Sequence, residues 1–118
     1  MTMTRRRILV IEDDFSLATL YQSALAFAGF DVAVAGDGLA ALEDIDEDHP
    51  DLVVLDLQLP QIDGGTILRE VAATPDTRDI PIIVVTGSDA NGLPPASVVL
   101  RKPFDPIELV AAIEQQLH

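Results

Sequence analysis

Polar side chains that could do chemistry follow four apolar runs of this sequence, each where a run ends. Asp56 follows the run at residues 52–55, Thr86 follows the run at residues 80–85, and Lys102 comes shortly after the run at residues 97–100. Three consecutive acids, residues 12–14, follow the run at residues 8–11. Taken singly, such residues are commonly helix caps, strand terminators or solvated surface groups. Brought to one place, they would form a carboxylate cluster with one cationic partner.

A carboxylate cluster of this kind predicts a bound cation. Like charges crowded together repel and raise one another's pKa, so the cluster is costly unless a cation lies in it. Oxygen ligands with retained waters suit Mg²⁺ or Mn²⁺ rather than Zn²⁺. The chain has no cysteine, which excludes disulfides, thiolate metal sites and a thiol nucleophile.

The elements that must position these residues alternate along the chain. Short apolar runs rich in Val, Ile and Leu predict strands at residues 8–11, 30–35, 52–55, 80–85 and 97–100. Apolar residues spaced three and four apart predict helices between them, with Asp63 and Asp105 as N-caps and Gly29 after the first helix. The faces expected to be buried include Leu17, Leu20, Tyr21 and Leu25; Leu39, Leu42 and Ile45; Ile67, Leu68 and Val71; and Ile107, Val110, Ile113 and Leu117.

This alternation predicts an α/β fold, a doubly wound five-stranded parallel sheet with helices on both faces. Ligands of such sheets bind beyond the carboxyl ends of the strands, where the polar residues cluster. Residues 89–95 show no helical periodicity. The fourth helix, between the last two strands, is therefore expected to be short or absent.

Length and composition predict one domain over residues 1–118, with residues 1–6 flexible. The net charge of −13 argues against direct binding of nucleic acid or an anionic membrane, because both need clustered Lys and Arg. The run at residues 8–11 is too short for a signal-peptide core or a membrane span. We therefore expect a cytoplasmic protein.

Four motifs together resemble the receiver domains of two-component response regulators, which are similar to chemotaxis regulators. They are Ile-Leu-Val-Ile-Glu-Asp at residues 8–13, the run from Asp51 to Gly64 with its Pro-x-x-Asp-Gly ending, Val-Val-Thr at 84–86, and Lys-Pro-Phe at 102–104. The resemblance covers essentially the whole chain. It implies a flavodoxin-like fold with strand order 2-1-3-4-5.

The resemblance also implies a role for each site residue. Asp56 would be the phosphoacceptor, taking a phosphoryl group from a histidine kinase or a histidine phosphotransfer protein. Glu12, Asp13 and Asp56 would hold Mg²⁺ or Mn²⁺ together with the backbone carbonyl of Gln58. Lys102, after which a cis peptide bond to Pro103 is expected, would supply positive charge, and Thr86 a hydroxyl for the phosphoryl group.

Two departures from the family pattern concern the metal pair and the output. Asp14 is a third acid, so sequence alone permits 12/13 or 13/14 as the metal pair, and the motif match favours 12/13. Val99 stands where the family commonly has a switching Tyr or Phe. Because valine has no ring to swing, the signal is expected to leave through backbone movement at residues 89–95. The sequence names neither the kinase nor the output partner.

Three other functions compete with this reading. A haloacid-dehalogenase-like phosphohydrolase would need a second Asp two residues after Asp56, where this chain has Gln58. A flavin or nucleotide module would need a Gly-rich phosphate loop where the acids at 12–14 stand. A degenerate receiver acting only as a docking module would not need the acids, Thr86 and Lys102. We expect no effector domain within residues 1–118, and we therefore expect either a stand-alone receiver or one cut from a longer protein.

Overall fold

The computed structural model describes residues 5–59, 63–87 and 98–117. These residues form five strands and four helices, in the order β1 (Arg7–Ile11), α1 (Phe15–Phe27), β2 (Asp31–Ala35), α2 (Gly38–Asp48), β3 (Leu52–Asp56), α3 (Gly64–Ala73), β4 (Ile82–Thr86), β5 (Val98–Arg101) and α4 (Pro106–Leu117). The helix predicted to be short or absent between β4 and β5 lies outside the described residues. The same holds for residues 1–4 of the segment predicted to be flexible.

The five strands form one parallel sheet with the order β2-β1-β3-β4-β5. In β3, Val54 pairs with Val10 of β1 on one side and with Ile83 of β4 on the other. Since all strands run the same way, their carboxyl ends meet at one edge, and the strand order reverses between β1 and β3. The predicted doubly wound sheet and its order are confirmed.

Two apolar layers cover the sheet, because successive strand residues point to opposite faces. The layer between the sheet and helices α2 and α3 is formed by residues of both, including Leu9, Ile11, Ala41, Ile45, Val53, Leu55, Ile67, Leu68, Val71 and Val84. The layer between the sheet and helices α1 and α4 includes Ile8, Val10, Tyr21, Leu25, Leu52, Val54, Ile83, Val85, Leu109 and Ile113. Every residue of β3 is buried, as predicted for a strand covered on both faces.

Aspartates fix where the helices begin. The side chains of Asp14, Asp37 and Asp63 each accept the backbone N–H of the residue three positions on, at 3.0, 2.8 and 2.9 Å. Asp105 accepts the N–H of Ile107 at 2.9 Å. These bonds satisfy amides that have no partner within the helix. Gly29 has a φ of +100°, the left-handed conformation predicted for the residue that ends the first helix.

Two leucines and one isoleucine that were predicted on buried helix faces are exposed instead. Leu20, Leu39 and Ile107 are 48%, 55% and 74% exposed. The buried positions of α1, α2 and α4 include Ala18, Ala41 and Leu109. Spacings of three and four fit more than one helical phase, and contact with the sheet selects among them.

A methyl group on Gly64 would press on the segment that follows Asp56. Its ideal Cβ would lie 2.8 Å from the backbone Cα of Leu57, which cannot yield without moving the chain beside Asp56. We expect Gly64→Ala to lower the free energy of unfolding by about 1–3 kcal/mol, the usual cost of overpacking, as measured by urea denaturation. Gly36→Ala is the control, because nothing lies within 4 Å of its Cβ. Equal destabilisation by both substitutions would contradict this explanation.

Candidate functional site

The predicted site residues meet at the carboxyl edge of the sheet. Asp56 and Thr86 are the last residues of β3 and β4, Glu12 directly follows β1, and Lys102 directly follows β5. The register places them side by side, since Ile11 pairs with Leu55, and Leu100 with Val85. Four residues distant in sequence therefore lie at one edge of the sheet.

Lys102 joins two buried carboxylates. Its Nζ lies 3.2 Å from Glu12 Oε1 and 3.4 Å from Asp56 Oδ2. Glu12 and Asp56 are only 3% and 4% exposed, whereas Lys102 is partly exposed. The peptide bond after it, Lys102–Pro103, is cis, as predicted.

The second oxygen of each buried carboxylate accepts a backbone N–H. The N–H of Gln58 donates to Asp56 Oδ1 at 2.9 Å, and the N–H of Asp14 donates to Glu12 Oε2 at 3.2 Å. Each carboxylate thus has one oxygen on an amide and the other on the ammonium of Lys102. Buried charges persist only when they are paired and hydrogen-bonded in this way.

The site nevertheless carries more negative than positive charge. Burial, followed by the hydrogen bond and the charge of Asp56, raises the pKa of Glu12 from 4.5 to about 7. Burial lowers the pKa of Lys102, but the charges of Asp56 and Glu12 outweigh burial and raise that pKa overall. A raised pKa on an acid and on its base is what two carboxylates sharing one cation produce.

Glu12, Asp13 and Asp56 form the acidic group that could hold a metal ion. Each offers a carboxylate oxygen, and these oxygens all lie within 4.8 Å of one another. Asp13 is exposed, so the group opens to solvent on the side where an ion could keep its waters. Oxygen ligands of this kind fit Mg²⁺.

Asp14 has a different task from its two neighbours. Its carboxylate caps α1 by accepting the N–H of Leu17 at 3.0 Å. Of the two metal pairs that the sequence permits, 12/13 is therefore the pair whose carboxylates face Asp56. The motif match had favoured the same pair.

Thr86 and Gln58 lie where the sequence placed them. Thr86 is fully buried, and its backbone carbonyl accepts the N–H of Lys102 at 2.8 Å. Gln58 is exposed and contributes the N–H that binds Asp56. The parts foreseen for the Thr86 hydroxyl and the Gln58 carbonyl stay predictions.

Sequence reasoning missed one contact beside the site. The rings of Tyr21 and Phe104 stack with centroids 5.6 Å apart. Tyr21 had been treated only as one more apolar position on a helix. The available signal was that it is the sole tyrosine of the chain and faces the core from the helix that follows the acids.

Comparison with known proteins agrees with this geometry. The family model described as "Response regulator receiver domain" matches residues 8–114. The DNA-binding response regulator MtrA of Mycobacterium tuberculosis is 41% identical over an alignment covering 100% of this chain and 53% of MtrA. The response regulator MprA of Mycobacterium leprae is 38% identical, with 95% and 51% covered.

A solved structure matches almost throughout. The receiver domain of the sensor histidine kinase PA1611 from Pseudomonas aeruginosa has a TM-score of 0.87 and 28% identity, with 97% of this chain and 98% of that chain covered. That structure was determined with a magnesium ion coordinated in the active site cleft.

The chain belongs to the response regulator receiver domain family. It is a phosphoacceptor domain of two-component signalling, a class of signalling domains and not of catalytic enzymes. It spans about half the length of the two curated relatives, 53% and 51%. Among residues 5–59, 63–87 and 98–117, no helix is long and apolar enough to cross a membrane.

The raised pKa of Glu12 predicts a pH-dependent stability when divalent metal is removed with EDTA. The folded-state pKa of about 7 lies above the ordinary value of 4.5. The stability contributed by Glu12 is therefore full below its unfolded pKa and is lost as the pH rises through about 7. We expect wild type to lose stability relative to Glu12→Gln between about pH 5 and about pH 8, as followed by urea unfolding.

Glu43→Gln is the matched control, because Glu43 is an exposed acid on α2. Its stability should follow the wild-type pH curve. Parallel curves for wild type and Glu12→Gln would show that Glu12 titrates normally in the fold.

Proposed function

We propose that the carboxylate of Asp56 accepts the phosphoryl group. One Asp56 oxygen attacks the phosphorus of a phosphohistidine, and an O–P bond forms as the P–N bond breaks. The electron pair of that bond stays on the leaving imidazole nitrogen, and Asp56 becomes an acyl phosphate. The observation that carries the proposal is the position of Asp56 at the end of β3, with one oxygen on Lys102 and two further acids beside it.

Lys102 and Thr86 would serve the transferred group. The ammonium of Lys102 already contacts Asp56, so it supplies a fixed positive charge where negative charge accumulates during transfer. Thr86 ends the neighbouring strand, and its hydroxyl would donate a hydrogen bond to the phosphoryl group once that group is on Asp56. Both roles extend the family resemblance to these two positions.

Glu12, Asp13 and Asp56 would hold Mg²⁺, with Mn²⁺ as the alternative, and the backbone carbonyl of Gln58 would complete the protein ligands. When bound, the ion supplies positive charge that neutralises the phosphoryl oxygens. Support comes from the convergence of the three carboxylates. The magnesium ion reported in the similar PA1611 receiver domain agrees with it.

The phosphodonor would be a histidine kinase or a histidine phosphotransfer protein in the cytoplasm. Receiver domains act with such kinases, and similar domains occur within sensor histidine kinases themselves. Because this domain has 20 acidic and 7 basic residues and DNA phosphates are bound by Lys and Arg, we infer that it does not bind DNA directly. MtrA is described as DNA-binding, but this chain matches only about half of it.

The proposal predicts phosphorylation at one residue, and only with divalent metal. Wild type incubated with acetyl phosphate and Mg²⁺ should gain one phosphate by intact mass spectrometry, because the bound ion offsets repulsion between the acids and the donor. With EDTA in place of Mg²⁺ the gain should be lost. Asp56→Asn should not be modified.

Asp51→Asn is the matched control for that experiment. Asp51 precedes the same strand at its opposite end, where its carboxylate accepts the N–H of Arg7 at 2.7 Å. It should be phosphorylated as wild type is. Modification of Asp56→Asn at the wild-type rate would overturn the assignment.

A further inference from the structure

The ring of Tyr21 ties α1 to the segment that carries Lys102. It stacks on the ring of Phe104 at a centroid distance of 5.6 Å, with the two planes 13° apart. Tyr21 is 4% exposed on α1, the helix that begins directly after the acids at residues 12–14. Phe104 lies between β5 and α4, two residues after Lys102. The ring pair therefore connects the helix that follows the acids to the segment that follows Lys102.

Residues 102–105 belong to neither a strand nor a helix. At one end, the N–H of Lys102 donates to the Thr86 carbonyl at 2.8 Å. At the other end, Asp105 accepts the N–H of Ile107 in the first turn of α4. Between these ends the ring of Phe104 packs on the core layer that contains Tyr21. This contact anchors the backbone next to Lys102.

The anchor matters because the lysine side chain is long and flexible. Its ammonium reaches Glu12 at 3.2 Å and Asp56 at 3.4 Å. Because such a side chain does not fix its own end, the position of the backbone at residue 102 helps to set the distance of the ammonium from both carboxylates. Burial raises the pKa of Tyr21, and the charges of Lys102, Glu12 and Asp56 also act on that pKa.

We propose that Tyr21 is a positioning residue that, through Phe104, holds the ammonium of Lys102 against Asp56 and Glu12. It acts on the phosphoryl group only through Lys102. The expected effect on rate rests on the phosphotransfer function proposed above, whereas the placement of the ammonium does not.

Three substitutions isolate the ring. Tyr21→Leu removes it and keeps an apolar side chain, while Tyr21→Phe keeps the ring. Leu25→Val is the matched control, because Leu25 is fully buried in the same core layer on the same helix. It tests whether loosening that layer is enough to disturb the site.

The first readout is the side-chain ammonium signal of Lys102 in ¹H–¹⁵N spectra of the metal-free protein. The signal persists while the ammonium protons are held in hydrogen bonds to carboxylates. Tyr21→Leu should lose it, and Tyr21→Phe and Leu25→Val should retain it. Retention in Tyr21→Leu, or loss in Leu25→Val as well, would overturn the proposal.

The second readout is the rate of Asp56 phosphorylation by acetyl phosphate with Mg²⁺. Tyr21→Leu should slow it by roughly 10- to 100-fold, since a misplacement on the order of 1 Å costs up to about 10²-fold. In a Lys102→Ala background the same substitution should cause no further loss. A further loss of equal size would show that Tyr21 acts independently of Lys102.

Two provisions keep the outcomes separate. If Tyr21→Leu does not fold, Phe104→Leu removes the other ring of the stack and should give the same two results. If wild type is not phosphorylated on Asp56, the proposed function fails, and the ammonium signal still decides the role of Tyr21.

Discussion

This site depends on one interaction, the pairing of two buried carboxylates with a single ammonium group. Glu12 and Asp56 lie at the ends of adjacent strands and are almost fully buried. Left alone, they would repel each other in a medium that solvates charge poorly. Lys102 offsets part of that charge, and the amides of Asp14 and Gln58 satisfy the remaining oxygens. The negative charge that remains is the charge that a divalent cation would offset.

The rest of the fold holds these charges in place. The parallel sheet brings the ends of β1, β3, β4 and β5 to one edge. The close approach of Gly64 to Leu57 fixes the chain that leaves Asp56. The stacked rings of Tyr21 and Phe104 tie the lysine segment to α1. A charge arrangement that gains little stability of its own needs such packing, because each ion loses its hydration when it is buried.

The sequence predicted the features that depend on local pattern. The apolar runs and the residues that end them predicted a parallel sheet with Asp56, Glu12 and Lys102 at one edge, because strand ends in a parallel sheet share an edge. The strand order was predicted from the family resemblance. Pattern could not choose among helical phases, so Leu20 and Ile107 were placed on buried faces although both are exposed. The pattern also could not show that Asp14 caps a helix whereas Asp13 lies beside Asp56. The ring pair was out of reach because its partners are far apart in the chain.

The affinity for Mg²⁺ tests the central claim most directly, compared between wild type and Lys102→Gln by titration calorimetry. If the ammonium of Lys102 and the metal ion offset the same carboxylate charge, removing the ammonium should tighten Mg²⁺ binding by about tenfold, or about 1.4 kcal/mol. Arg101→Gln, which removes the neighbouring cation at the end of β5, should change the Kd much less. An unchanged or weaker affinity in Lys102→Gln would show that the ammonium does not compensate the acids that we propose as metal ligands.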